Sequence, residues 1–363
     1  MARNFGTLSL LDTLRVIDNQ NIYEYGIDRL YDNSRILLTA HEQFLADLTA
    51  EFVERTTDKI RRYGVPSDEF DFQESDEFGA ADSQKGYIAS SNVGFPLRNY
   101  KVAMGWSKKY WLKRSVADWA DQMTKLMLAD TRNMVRAIRK GIYVPTNNLT
   151  YVDRLDDGIT LPIRALLNAD GEPIPPDPFG NTFNGATHTH YLATASLVAA
   201  NVDALVDTLT EHGMSAGETV RIVINRNDRT AFAALSGFRG YEEPLRNRGG
   251  GDATSTAAGG NISEYDIDNM PIGLWNFQIE VWVKPWVPQG YITAYVRNGA
   301  QKVLAMRVDT YAGAGSLVST DNHAHNPFES EEWEREFGIG VWNRHKAAVL
   351  YTGGGSYTAP TIS

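Results

Sequence analysis

Stretches with a helical hydrophobic period and stretches that alternate residue by residue succeed each other along this chain, and their order predicts its elements. Leu8, Leu10, Leu11, Leu14 and Val16 read as one short helix within residues 1–32, which have no stronger period. Asn33-Ser34 then offers a helix cap. Residues 35–63 read as a long helix with Leu37, Phe44, Leu45, Leu48, Phe52 and Ile60 near one face, ended by Gly64 and Pro66. Phe70 and Phe72 alternate with polar neighbours as in a strand, and 79–86 reads as a loop. Strand-like text returns over 87–114 through Phe95, Leu97, Tyr100, Val102, Met104 and Trp106. Ser115, with Asp118 three residues on, resembles a capping box. It opens a second long helix, whose stripe is Val116, Trp119, Met123, Leu126, Val135 and Ile138 and which Gly141 can close. About 25 residues at this rise make a rod of roughly 38 Å, long enough to be a structural element in its own right.

Beyond it, 142–190 is loop-rich and punctuated by the DGEPIPPDP run at 170–178. A third helix is predicted over about 194–212, with Val198, Val202, Leu205 and Leu209 on one face and Gly213 at its end. TVRIVI at 219–224 reads as a buried strand, Asn225–Asp228 as a turn, and Arg229–Leu235 as the start of a helix. Residues 248–260, RGGGDATSTAAGG, are a flexible loop by composition. Strands follow at 276–285, 291–297 and 302–308. The last strong segment, 333–353, reads as one or two long strands, and the tail after Gly353 as mobile. Helices and strands are thus mixed in one chain.

Charge adds a second pattern. Residues 67–78 hold six acidic side chains, Asp68, Glu69, Asp71, Glu74, Asp76 and Glu77, and no basic one. Residues 98–114 carry Arg98, Lys101, Lys108, Lys109, Lys113 and Arg114 and no acid. Two candidate arms of a hairpin therefore have opposite sign; two solvated faces are the plainer reading of any one charge run, and the adjacency of opposed runs makes pairing within the hairpin or between subunits more plausible.

Composition bounds the rest. With 363 residues, 42% of them hydrophobic, the chain can bury a sizeable core in two or three domains. A net charge of −10 argues against general nucleic-acid affinity, yet suits a wall that keeps enclosed DNA mobile by repulsion. There is no cysteine, so disulfides, thiolate metal sites and cysteine nucleophiles are excluded. The N-terminus lacks the apolar core of a signal peptide, and no window approaches the ~20 apolar residues of a membrane span. The expectation is cytosolic synthesis of a soluble product with no membrane partner.

Candidate chemistry is sparse. The glycine-rich loop lacks the Lys-Ser/Thr of a phosphate-binding loop. Two His-x-His pairs, His188/His190 and His323/His325, would each share a strand face and could hold a metal, with Asp309 or Asp321 as a further ligand. Surface or loop histidines are the plainer account. The acid pairs Asp156/Asp157 and Glu242/Glu243 lack calcium-loop spacing, and no Gly-x-Ser-x-Gly elbow occurs. Trp282 and Trp286 flank Lys284 and are expected to serve packing rather than stacking on a ligand. No catalytic residue, cofactor site or metal site is assigned. The reading from another class, a metal-dependent hydrolase built on the His-x-His pairs, is the weaker one.

The order of elements resembles the major capsid proteins of tailed bacteriophages, over roughly residues 66–353. Phe95–Arg114 and Ser115–Gly141 look like the returning limb of that family's extended loop and its spine helix. Tyr191–Gly213 and ETVRIVINRNDRTAFAAL (218–235) look like the helix, strand, Asn-containing turn and helix of its axial domain. Met270-Pro271-Ile272-Gly273 resembles the turn before that domain's later strands, and EREFGIGVWNRHKAAVLYTGG (334–354) its closing strands. The resemblance implies an α+β fold of the Hong Kong 97 type, with N-terminal arm, extended β-hairpin loop, peripheral domain with long spine helix, and axial α/β domain. In this chain they fall at 1–66 (arm), 67–114 (loop), 115–190 (peripheral), 191–330 (axial and connecting strands) and 331–363 (closing strands and tail). It implies a non-enzymatic virion protein, assembled in the host cytoplasm into hexamers and pentamers around double-stranded DNA faced non-specifically, with a separate scaffolding protein and a portal as partners. An encapsulin-like compartment is the runner-up within the same fold. Some family members crosslink a loop lysine to an asparagine. Lys85 lies near the loop tip, but no partner asparagine or catalytic acid is matched here.

Overall fold

The computed structural model describes residues 21–66, 74, 79, 88–156, 158–177, 180, 182–241, 270–311, 313–325 and 328–362. Its first helices are α1 (Ile22–Tyr25), capped by the Asn21 side chain, and α2 (Ile27–Thr49). The helix expected at 35–63 therefore starts earlier and stops sooner. Asn33 and Ser34 lie inside it, and Ser34 Oγ donates to the Leu30 carbonyl instead of capping. Leu37, Leu45 and Leu48 are buried as predicted, whereas Phe44 is 52% exposed. No glycine or proline stops α2. The aromatic and β-branched residues that follow are claimed by tertiary structure: Phe52 packs on Trp286 and Tyr295, with ring centroids 5.0 and 5.4 Å away. Val53–Thr56 then forms strand β1.

Gly64 and Pro66 sit in β2 (Ile60–Pro66), which pairs with β3 (Ile88–Gly94) from Ile60↔Gly94 to Pro66↔Ile88. A hairpin is thus present, but its limbs are 60–66 and 88–94. The acidic run belongs to the 67–87 connection and, apart from the exposed Glu74, lies outside the described residues, as does Lys85. Tyr63, Val93 and Phe95 root the hairpin in a small core with Ala305 and Trp342.

The basic segment becomes β4 (Asn99–Ser107) and the short α3 (Lys108–Lys113). The spine helix is α4 (Val116–Tyr143), 28 residues or about 42 Å long. The capping box is formed: Asp118 N–H donates to Ser115 Oγ, and Ser115 N–H to Asp118 Oδ2. Gly141 does not end α4. A Cβ there would meet a Leu304 methyl at 3.3 Å, so the glycine permits close helix–strand approach.

The chain continues through β5 (Asn148–Asp153), β6 (Ile159–Ile163), β7 (Tyr191–Ala193), α5 (Ala199–Thr210), β8 (Thr219–Ile224), a 3-10 turn at Arg226–Asp228 and α6 (Arg229–Ala233). It ends through β9 (Phe238–Gly240), β10 (Met270–Trp275), β11 (Ile279–Val283), β12 (Tyr291–Arg297), β13 (Leu304–Arg307), β14 (Val318–His325), β15 (Phe328–Glu336), β16 (Gly338–Val341) and β17 (Ala347–Tyr351). The closing segment is therefore three strands serving three different sheets, not one or two long strands. The glycine-rich loop at 248–260 lies outside the described residues.

Seven strands form the axial sheet in the order β7-β17-β12-β8-β11-β10-β9. Val202, Leu205 and Leu209 of α5 pack on its Ile222, Ile224, Val281 and Ile292. A smaller sheet, β1-β13-β16, sits beside the C-terminal half of α4, whose Met134, Ile138 and Ile142 share a core with Leu304, Phe337 and Trp286. At the other end, α1, α2 and the first half of α4 pack on the sheet β14-β15-β4 through Leu30, Leu37, Trp119, Met123, Trp106 and Trp333. The described part of the N-terminal segment is thus folded onto its own subunit. The tail expected to be mobile is tied down, because Tyr357 Oη donates to the Tyr143 carbonyl and Tyr291 Oη to that of Thr358.

Candidate functional site

Among the described residues, the charged sheet β14-β15-β4 and a cluster of histidines at the edge of the axial sheet both gather side chains that packing alone does not require.

Among the described residues, strand β4 has its partner far along the chain. It pairs antiparallel with β15, residue for residue from Ser107↔Phe328 to Asn99↔Glu336. FESEEWERE alternates, so Glu331, Trp333 and Arg335 are buried while Glu332, Glu334 and Glu336 face outward. Lys101 reaches Glu334 at 3.1 Å and Glu332 at 3.7 Å, and Asn99 donates to Glu334. The Glu334 hydrogen bond pushes the Lys101 ammonium pKa up. The opposite-charge partner of the basic strand is therefore an acidic strand some 230 positions away, which the local charge pattern could not reveal. Arg98 stacks on the Tyr151 ring at 5.2 Å. Lys108 opens α3. Lys109, Lys113 and Arg114 are exposed beside Leu112, which is 58% exposed. Arg114 approaches Asp118 only at 3.9 Å.

Beneath β15 lies a buried polar hub. Arg335 Nε donates to both Asp130 oxygens, at 2.8 and 3.0 Å, and its terminal nitrogens reach Glu42 and the Gly315 carbonyl. His41 of α2 is 2.8 Å from Asp130 of α4. One carboxylate thus joins α2, α4 and β15.

His188 and His190 are not surface histidines. His190 is fully buried, and the His212 side chain, contributed just past α5, has no exposure. Nε2 of His212 is 3.1 Å from Nε2 of both His188 and His190. Glu211 Oε1 is 3.5 Å from His188 Nε2 and 3.9 Å from His212 Nε2. All four donor atoms lie within 4.8 Å of one another. Burial lowers the pKa of all three rings, that of His212 to about 4. The further donors are His212 and Glu211, not the exposed Asp309 that the sequence suggested. The His323/His325 and Asp321 side chains are outside the described residues.

The remaining candidates are structural. Asp156 pairs with Lys59 and Arg307, both at 2.7 Å. Trp286 is buried in the core, and Lys284 and Arg221 lie on the Trp282 ring at 4.7 and 4.3 Å. Asp157, Glu242 and Glu243 lie outside the described residues.

No protein-family model and no curated protein matches the chain. Among solved structures, a chain from Mycobacterium phage Patience superposes with a TM-score of 0.68 at 19% identity, over 92% of this chain and 90% of that one. The capsid of an empty GTA particle follows with a TM-score of 0.47 at 13% identity, over 85% and 90% of the two chains. The SrpI encapsulin of Synechococcus elongatus gives 0.42 at 12%, over 88% and 90%. The last two likenesses are too loose to argue from. The first covers nearly the whole of both chains and establishes the fold, which is the mixed helix-and-sheet Hong Kong 97 type that the order of elements resembled.

Proposed function

We propose that this chain is the major capsid protein of a tailed phage, building an icosahedral shell of hexamers and pentamers around double-stranded DNA. The observation that supports this most is a phage chain's fold carried over 92% of the sequence. Within it, a hairpin rooted by Tyr63 and Phe95 carries the six-acid run of 67–78 in its connection, and a 28-residue spine helix stiffens the protomer. The role is geometric, not catalytic. Flat subunits meet through many modest contacts, and closure makes these collectively strong.

With Lys101 engaged by β15, the exposed Lys109, Lys113 and Arg114 of a neighbour are the partners proposed for the acidic run. Exposed pairs of this kind are weak singly and screened by salt, so they tune assembly reversibly. Changing Asp68, Glu69, Asp71, Glu74, Asp76 and Glu77 to Asn or Gln should lower assembly yield and flatten its salt dependence, as read by sedimentation. Unchanged salt dependence would refute the pairing. Nuclease-protected DNA within particles from infected cells supports the capsid reading, whereas shells holding only protein cargo would replace it with the encapsulin-like one.

A further inference from the structure

Nothing in a shell-building role calls for three histidines and a glutamate converging in the subunit interior. Their hydrogen bonds constrain what can sit between them. His190 Nδ1 is 2.8 Å from the Ala347 carbonyl, and His212 Nδ1 is 3.0 Å from that of Pro175. A carbonyl oxygen only accepts, so both Nδ1 atoms carry a proton, and with that single proton each ring turns a bare Nε2 lone pair inward. Those two lone pairs face each other at 3.1 Å. A proton on His188 Nε2 can satisfy one contact of His212, but it leaves the His190–His212 contact with no hydrogen between two acceptors. The Glu211 carboxylate adds a third inward-facing acceptor. Buried acceptors gathered without a donor are costly, and a cation at their centre resolves the arrangement.

We infer that His188, His190, His212 and Glu211 form a structural zinc site. Zinc–nitrogen bonds of 2.0–2.1 Å place tetrahedral donors about 3.3–3.4 Å apart, near the 3.1 Å from His212 to each of the other two histidines, the 3.5 Å for His188–Glu211 and the 3.9 Å for His212–Glu211. The outer hydrogen bonds are those of metal-bound histidines, with the second ring nitrogen donating to a main-chain carbonyl and so fixing tautomer and ring plane. Glu211 and His212 terminate α5, where the free carbonyls favour positive charge. Phe183 covers the cluster, its ring 4.9 Å from His188 and 4.6 Å from His212. Four protein donors complete a tetrahedron and leave no position for an activated water, so the site is structural and not that of a hydrolase. It would clip three pieces of chain together: the end of α5, the approach to edge strand β7, and the loop that carries Pro175.

The test uses the full-length chain. Expressed with zinc in the medium, it should retain one zinc per chain by elemental analysis. After stripping with a chelator, Co(II) titration should saturate at one equivalent with the intense visible absorption of four-coordinate cobalt, and zinc should restore the lost Tm. His188→Gln, at the most accessible of the three histidines, should keep the circular-dichroism spectrum of the stripped wild type. Its metal affinity should fall by no less than the roughly 10–100-fold that loss of even an outer partner costs. A wild-type chain that retains no stoichiometric metal and gives no tetrahedral cobalt spectrum overturns the site. So does His188→Gln binding cobalt as wild type does, which would place the metal elsewhere.

Discussion

On one face of β15, Arg335 is buried with Asp130, Glu42 and His41; on the other, Glu334 and Glu332 meet Lys101 in partial contact with water. The two sets share a strand and a kind of chemistry and differ in solvent. A buried carboxylate that loses its partner has no water to turn to, whereas an exposed one trades a lysine for solvent at little cost. The inner set therefore holds α2, α4 and β15 in one protomer. The outer set leaves the fold almost indifferent and is the kind of charge that can be spent on assembly.

The sharpest way to break this comparison is on the inner face. Asp130→Ala should destabilise the protomer by about 3 kcal/mol, since it takes the buried carboxylate from His41 and leaves the Arg335 guanidinium with Glu42 and the Gly315 carbonyl alone. Chemical denaturation checks this, and a loss no larger than that of a surface substitution would remove the distinction. Ser115→Ala, which deletes the cap of the spine helix, should cost about 1 kcal/mol by the same measurement. A pH test reads a carboxylate of an intermediate kind, Asp170, an exposed residue whose side chain is largely covered by its partners. Burial pushes the Asp170 pKa up, but the Arg344 guanidinium and the Asn147 hydrogen bond outweigh it, and the net shift is downward. The folded pKa lies below the unfolded one, so this stabilisation is full above the unfolded value of about 3.9 and is lost as pH falls through the folded one. Asp170→Asn should therefore lower stability at pH 7 and shrink its acid sensitivity below about pH 4, which acid unfolding followed by fluorescence will show. The smallest effect is expected on the outer face: Glu334→Gln should leave Tm within error of wild type at every salt concentration.

Local patterns carried much of the fold and little of its long-range pairing. The spine helix was legible because Ser115, Asp118 and a 3.6-residue stripe agree with one another. TVRIVI and its Asn225 turn were legible for the same reason. The end of α2 was not, because nothing near Thr49 breaks a helix; Phe52 leaves it for Trp286 and Tyr295, more than two hundred residues away. The partner of the basic strand within the described residues was not legible from sequence adjacency, which offered 67–78; the acids facing β4 come from the EEWERE run at 331–336. That run's own alternation was the available signal. The histidine cluster needed His212 and Glu211, which the third helix carried at its predicted end, yet only the return of β7 beside α5 brings them to His188 and His190.

A shell-building role rests on self-assembly, and imaging the purified chain by electron microscopy, alone and with a candidate scaffolding protein, tests that most directly. It predicts six- and five-fold clusters that close into shells or curved fragments of them, more abundant at low ionic strength. A monodisperse monomer at every concentration and salt, with scaffold present, would contradict it.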